Sequence, residues 1–434
     1  MDMRRAPIGD LSAGASTQTS ISQRDRDVLR ALAGQVAEIA ALPVHQERID
    51  LWTRLNGLER VKPMVWINEI PWHEMDVDGE LALQTSTDFC RAHEQKLRRI
   101  LYQWRHMPGD MIVENVHYSP LVIDDTGFGI DEDVQIATTD STSDIYSRRF
   151  HLQILEKEDL EKIEMPRVTH DVEASERRYE ALSQAIGDIL PVVKRGAPGF
   201  WFAPWDELIR WWGVQQPMTD LVDKPDLVHA AMDRLVTAYL HRLDQYVEEN
   251  LLARNDGNVR IGSGGLGYSD ELPQAGFDTQ HVRTVDLWGC GTAQIFVGVS
   301  PAMHEEFALQ YERRWMSRFG LNYYGCCEPL DLKIDMLRSV PGLRKVSMSP
   351  WGALDRAGGN VGTGFVFSRK PSPAAFAEDA WSLGKMRDDL VDSLERTRGC
   401  VVEVIMKDIS TVRYQPQRLW EWAAMATEVT ESYA

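Results

Sequence analysis

The 434-residue sequence predicts an α/β protein: a TIM-type (β/α)8 barrel with an N-terminal helical extension and an inserted hairpin. Three observations point there. Short apolar, strand-like runs alternate with longer amphipathic stretches. The alternation is most regular after Pro301. No short-period repeat or low-complexity block appears, which sets aside a solenoid or propeller. About eight βα units fit a closed barrel better than an open parallel sheet, although periodicity alone leaves the open sheet standing.

Each element has its own signal. Residues 1–20 are polar and small and read as a flexible tail, residues 21–60 as a helical extension, and residues 61–434 as the barrel. Helices are expected at 23–41 and 45–55, a strand at 63–70, a helix at 85–104 and a strand at 111–118. Residues 121–138 read as the inserted hairpin, with Gly127 and Gly129 as turn signals. Charged helices are expected at 147–163 and 172–187, and a strand-like run at 192–203, followed by helices at 205–213 and 225–252. The glycine-rich stretch 261–268 reads as a strand end or a loop. Then helices at 301–319, 330–339, 373–398 and 416–431 alternate with strands at 321–325, 345–349, 365–368 and 401–406.

Charge and cysteine usage narrow the function classes. Against 66 Asp+Glu there are 47 Lys+Arg, a net charge of −19, which argues against a nucleic-acid or anionic-membrane surface. With 43% hydrophobic and 26% charged residues the composition is globular. No run approaches the roughly 18–20 apolar residues of a membrane helix, and residues 1–19 lack the apolar core of a signal peptide. Cys90, Cys290, Cys326, Cys327 and Cys400 form no disulfide spacing pattern, so reduced thiols and a cytoplasmic location are expected.

The chemistry concentrates in Asn322-Tyr-Tyr-Gly-Cys-Cys-Glu-Pro-Leu-Asp331, where a short strand runs into adjacent cysteines and a carboxylate. Loops after barrel strands face the active site. A thiolate there acts as nucleophile or soft-metal ligand, so Cys326, Cys327 and Glu328 are catalytic candidates. The plainer alternative is that one cysteine packs as a small hydrophobe. Zinc needs partners from other strands, and Glu69, His73, Glu114 and His117 stand at the right ends; Glu69 and His117 complete the candidate ligand set with Cys326 and Cys327. Strand alternation places His117 on the face opposite Glu114 and Tyr118.

A cationic group follows the last two strands. Arg369 and Lys370 are candidates for holding a substrate anion, with Trp351 and Tyr324 as further substrate contacts. Lys407 and Asp408 are catalytic candidates, with a structural Lys407–Asp408 pair as the equal alternative. Three weaker signals read as structural. The Gly262-Ser-Gly-Gly-Leu-Gly267 stretch lacks a Walker lysine, so tight backbone packing is expected. His304-Glu-Glu lacks a second histidine four residues on and is expected on a solvated helix face. The aromatic cluster at 200–212 is expected in the core.

Residues Gly298-Val-Ser-Pro-Ala-Met-His-Glu-Glu-Phe307, Tyr311 and Arg318-Phe-Gly320 resemble the uroporphyrinogen decarboxylase superfamily, as does the pattern 321–327, 346–351, 364–373 and the helix from Pro416. The resemblance spans 62–431 and is strongest from Asp286 onward. It implies a barrel, often dimeric, and either porphyrinogen decarboxylation or zinc- and corrinoid-dependent methyl transfer. The decarboxylases' arginine-rich loop is replaced here by Trp66-Ile-Asn-Glu-Ile-Pro-Trp-His73. That disfavours porphyrinogen and leaves methyl transfer from a small methylated substrate to a corrinoid on a partner protein. The methyltransferases' His-x-Cys zinc motif aligns its cysteine with Cys326 but its histidine with Tyr324. Their late cysteine falls near Lys407 and Asp408. Two alternatives stand beside this reading: a metal-free decarboxylase of a small acid using Lys407, Arg369 and Asp408, and a barrel that binds ligand without turnover.

Overall fold

The computed structural model describes residues 19–137 and 147–433, so most of the expected tail lies outside the described residues. Two helices open the chain, α1 (Gln23–Ala40) and α2 (Val44–Asn56). The Ser22 hydroxyl accepts the Asp25 amide at 3.1 Å and so caps α1. Strand β1 (Met64–Ile67) is followed by α3 (Asp88–His106), which Thr87 caps in the same way.

The next region departs from expectation. Of the expected strand at 111–118 only His117 and Tyr118 form ladder, as the start of β2 (His117–Pro120). The stretch 121–138 is no self-contained hairpin: β3 (Ile123–Asp125) pairs antiparallel with β6 (Val168–His170), and β4 (Val134–Ala137) with β5 (Ser147–Phe150). Residue 138 lies outside the described residues. The charged helix expected from 147 is thus a strand followed by a 3-10 turn at Lys157–Lys162; cross-strand pairing and the Arg148–Glu132 ion pair override helix propensity. After α4 (Val172–Ile186) comes β7 (Val192–Arg195), parallel to β2. Helices α5 (Pro204–Trp212), α6 (Gln215–Asp223) and α7 (Pro225–Glu248) carry the buried aromatics Trp205, Trp211, Trp212 and Tyr239.

From there the βα rhythm is regular. In order come β8 (Trp288–Gly291), α8 (Pro301–His304), α9 (Gln310–Met316), β9 (Leu321–Tyr324), α10 (Ile334–Leu337), β10 (Leu343–Met348), α11 (Leu354–Val361), β11 (Val366–Arg369), α12 (Leu383–Arg396), β12 (Val401–Met406) and α13 (Gln417–Glu431). Six strands form one parallel sheet in the order β1-β12-β11-β10-β9-β8. Every residue of β9, β11 and β12 is buried, as expected for parallel strands covered by helices. No described helix is long and apolar enough to cross a membrane.

The sheet curls strongly. Lys345 on β10 reaches Glu403 on β12, two strands away, at 2.9 Å, with both side chains fully buried. The glycine-rich stretch fills the concave side. A Cβ on Gly264 would lie 2.6 Å from both Glu403 Oε1 and the Tyr323 ring, and the Gly265 amide donates to Glu403 Oε1 at 3.2 Å. Close backbone packing is therefore its role. Beyond the two sheet edges, side chains substitute for ladder bonds. The Val65 amide donates to Asp110 Oδ2 (2.7 Å) and Asn258 Nδ2 to the Ile112 carbonyl (3.0 Å), while Asn255 donates to the Trp288 carbonyl (2.9 Å) and accepts its amide (2.8 Å).

Candidate active site

Parallel strands bring their C-terminal ends to one side of the sheet. Glu69 follows β1, Cys326 and Cys327 follow β9, and Lys407 and Asp408 follow β12. In a flat sheet the β9 and β12 ends would stand about 14 Å apart, three strand spacings. Curling closes that gap. Lys407 Nζ donates to Cys326 Sγ at 3.4 Å, to Cys327 Sγ at 3.8 Å and to Asp408 Oδ2 at 2.7 Å, and lies 3.6 Å from Glu69 Oε2. The two sulphurs are 3.5 Å apart, and the Cys327 thiol donates to Asp408 Oδ2 at 3.3 Å.

Backbone conformation at the strand ends builds this cluster. Glu69 (φ 52°) and Asp408 (φ 56°) are both left-handed without being glycine, an arrangement costing on the order of 1–3 kcal/mol each. Each helps hold the other, because the Asp408 amide donates to Glu69 Oε2 at 3.1 Å. Gly325 (φ 99°) turns the chain into the cysteines, and a Cβ there would lie 2.6 Å from Leu330 and 2.9 Å from Ser347. Glu328 points inward, accepting the Cys326 amide at 2.8 Å and the Thr292 hydroxyl at 2.8 Å, while Ser347 donates to the Cys326 carbonyl at 2.6 Å. Glu328 therefore fixes the loop.

Electrostatics follow from these contacts. Burial pushes the Glu69 carboxyl up, but Arg260, Lys407 and hydrogen bonds outweigh it and bring it down to about 2. Burial pulls the Lys407 ammonium down, yet Cys326, Glu69 and Asp408 together raise it above the usual lysine range. The Cys327 thiol is pushed up by its hydrogen bond with Cys326 and by burial. Burial, with Glu69 nearby, also raises the Asp408 carboxyl against the pull of Lys407. Lys407 thus stays a cation between the sulphurs and the carboxylates.

The remaining sequence candidates lie elsewhere or face protein. Tyr324 is fully buried; its hydroxyl donates to Glu312 Oε2 at 2.6 Å and accepts His304 Nε2 at 2.6 Å, so it turns away from the cysteines. Arg369 donates to the Ser349 carbonyl and the Ser393 hydroxyl, and Lys370 to Ser368 and the Tyr323 hydroxyl. Trp351 is exposed. His117 is buried against His93 at 2.8 Å and makes no contact with the cysteine pair. His73 lies 3.6 Å from Glu74. His304 is fully buried rather than solvated and accepts from Lys333 at 2.9 Å. Arg260, which the sequence did not single out, holds Glu69 Oε1 at 2.9 Å and Asn68 at 3.1 Å.

These residues do not fit the zinc that the resemblance implies. A tetrahedral site needs three or four deprotonated donors converging on a free point. Here the point shared by Cys326, Cys327, Asp408 and Glu69 is filled by the Lys407 ammonium. Among the described residues no group of three or more His, Cys, Asp or Glu is placed to hold a metal ion.

No family model matches the chain, and no curated protein matches its sequence. Among solved structures the fold is similar to a methyltransferase from Methanosarcina mazei at 14% identity and a TM-score of 0.47, covering 87% of this chain and 97% of that one.

Proposed function

We propose that the chain is a thiol-dependent methyltransferase-type enzyme with Cys326 as nucleophile and Lys407 as the fixed cation beside it. One observation carries this reading: the Lys407 ammonium is tethered 3.4 Å from Cys326 Sγ at the C-terminal end of a parallel sheet. A neighbouring cation favours negative charge on sulphur. In the step, the Cys326 sulphur forms a bond to the methyl carbon of a small methylated substrate. The carbon–heteroatom bond breaks with its electron pair going to the heteroatom. The thiol proton passes to that leaving group by way of Lys407 or Asp408. A corrinoid-bearing partner is the onward acceptor implied by the resemblance. The five free cysteines suit work in the cytoplasm. We also read the six-strand sheet, the β2–β7 pair and the asparagine-mediated links as one interrupted eight-stranded barrel.

Mass spectrometry of the protein after incubation with methylated amines, thiols and phenols tests the reading. One added methyl group on the peptide carrying Cys326 is expected, and absent from Cys326→Ser. Methyl-group turnover undiminished in Cys326→Ser would overturn it.

A second reading has its own observation. Lys370 is buried, and burial together with Lys407 brings its amine down to about 7 despite the pull of Glu403. A neutral amine of that kind condenses with a β-keto acid, releasing water. The imine loses CO₂, the C–C electron pair forming an enamine that takes up a proton and is hydrolysed to ketone and free lysine. Borohydride reduction in the presence of small β-keto acids would trap the adduct on Lys370. Failure to trap any adduct would count against it.

A further inference from the structure

Two cations stand apart from every ion pair described so far. Lys96 of α3 lies with its Nζ 5.5 Å from the centre of the Tyr118 ring, and Arg195, at the end of β7, lies with its Cζ 4.0 Å from the same centre. Among the described residues neither side chain forms a hydrogen bond or an ion pair within 4 Å; the nearest counter-charge to both is the Glu114 carboxyl. Arg369 and Lys370, by contrast, have their donors engaged by protein oxygens. The acid nearest to hand, Glu114, is occupied differently: both its oxygens accept from the Tyr118 hydroxyl at 3.3 Å, and it faces the Asn258 side chain. Burial pushes the Glu114 carboxyl up against the pull of Arg195 and Lys96, and it pulls the Lys96 ammonium down to about 8, with Arg195 adding to the fall and Glu114 opposing it. Two half-buried cations on one aromatic ring, sharing a single carboxyl whose oxygens are taken up by Tyr118, leave room for a further anion between them.

We propose that Lys96 and Arg195 bind a small oxyanion, the carboxylate or phosphate group of a ligand, against the ring of Tyr118. The guanidinium offers a planar fork for two oxygens and the ammonium a mobile point charge, a complementary pair for either group. The site neighbours the cysteine cluster through one segment: Asn258 binds the Ile112 carbonyl and faces Glu114, and two residues on Arg260 binds Glu69. An anionic ligand anchored there would extend towards the Lys407 end of the sheet. The anion-holding role expected of Arg369 and Lys370 falls instead to this pair.

Calorimetric titration of the full chain with inorganic phosphate, and separately with succinate, tests the site at low chloride. Saturable binding of one anion per chain is expected, and the tighter of the two tells phosphate from carboxylate. Lys96→Met and Arg195→Met are each expected to weaken it at least tenfold, with thermal unfolding unchanged or raised. Glu114→Gln is expected to tighten it, and Cys326→Ser to leave it unchanged, which separates this site from the thiol chemistry. Absence of binding by both anions, or equal binding by the Lys96 and Arg195 variants, overturns the proposal.

Discussion

The Lys407 ammonium lies 3.4 Å from the Cys326 sulphur and 3.8 Å from that of Cys327, and it reaches both from the strand end opposite them in the curled sheet. Lysine is here a covalently tethered cation in a nest of thiols and carboxylates. Unlike a metal ion it holds the sulphurs only by hydrogen bonds and forms no coordinate bond to either. It leaves Cys326 free to act as a nucleophile while lowering the cost of its negative charge.

The first prediction concerns reactivity. Lys407→Met should slow alkylation of Cys326 by iodoacetamide at neutral pH about tenfold, equivalent to about 1.4 kcal/mol of lost charge stabilisation. Peptide-resolved mass spectrometry separates Cys326 from the other cysteines. An unchanged rate would show that the ammonium does not act on the thiol.

The second concerns metal. Lys407→Cys removes the occupying cation and places a third thiol beside the two of Cys326 and Cys327. Three sulphur donors with Asp408 or Glu69 make an adequate tetrahedral set. We expect the variant, purified without chelator, to carry about one zinc per chain while the parent protein carries far less. Equal metal content in the two proteins would contradict the view that Lys407 occupies the metal position.

Much of this site was legible because strand ends are legible. The apolar runs at 321–325 and 401–406 are continuous, and parallel topology alone then brings Cys326, Lys407 and Asp408 to one end. Three things were hidden. β8 (Trp-Gly-Cys-Gly) has two glycines and no β-branched residue, so it carries no strand signal. His304 is expected on a solvated face only because no second histidine follows four residues on; it is buried through its bonds to Tyr324 and Lys333, which come from distant segments. The partners of Tyr324 and Arg260 depend on side chains from distant segments, which no local pattern announces.

The third prediction concerns the buried pair inside the sheet. Burial pushes the Glu403 carboxyl up, but Lys345 and Lys370 outweigh it, so it remains an anion with no solvent contact. Glu403→Gln should cost about 3–5 kcal/mol, because Lys345 is then a buried cation without its counter-ion. The double variant Lys345→Met, Glu403→Leu should recover at least half of that loss. Urea denaturation of the three proteins measures it, and a double variant less stable than the single one would refute the account.

The fourth concerns pH and the network behind the cysteine loop. Glu312 is fully buried, with Oε1 unpartnered and Oε2 accepting from Tyr324. Burial, with Glu328 and Asp206 nearby, pushes its carboxyl up to about 8, against the opposing bond from Tyr324. In the unfolded chain the same group titrates at about 4.3. Between these values the folded protein holds a proton that the unfolded chain has released, so stability falls as pH rises from about 4 towards 8. Glu312→Gln keeps an oxygen for Tyr324 and removes the titration. It should therefore flatten that decline and make the variant more stable than the parent at pH 8 by on the order of a few kcal/mol, with little difference near pH 4. Thermal unfolding across this range decides the matter: parallel profiles for the two proteins would mean that Glu312 does not take up the proton.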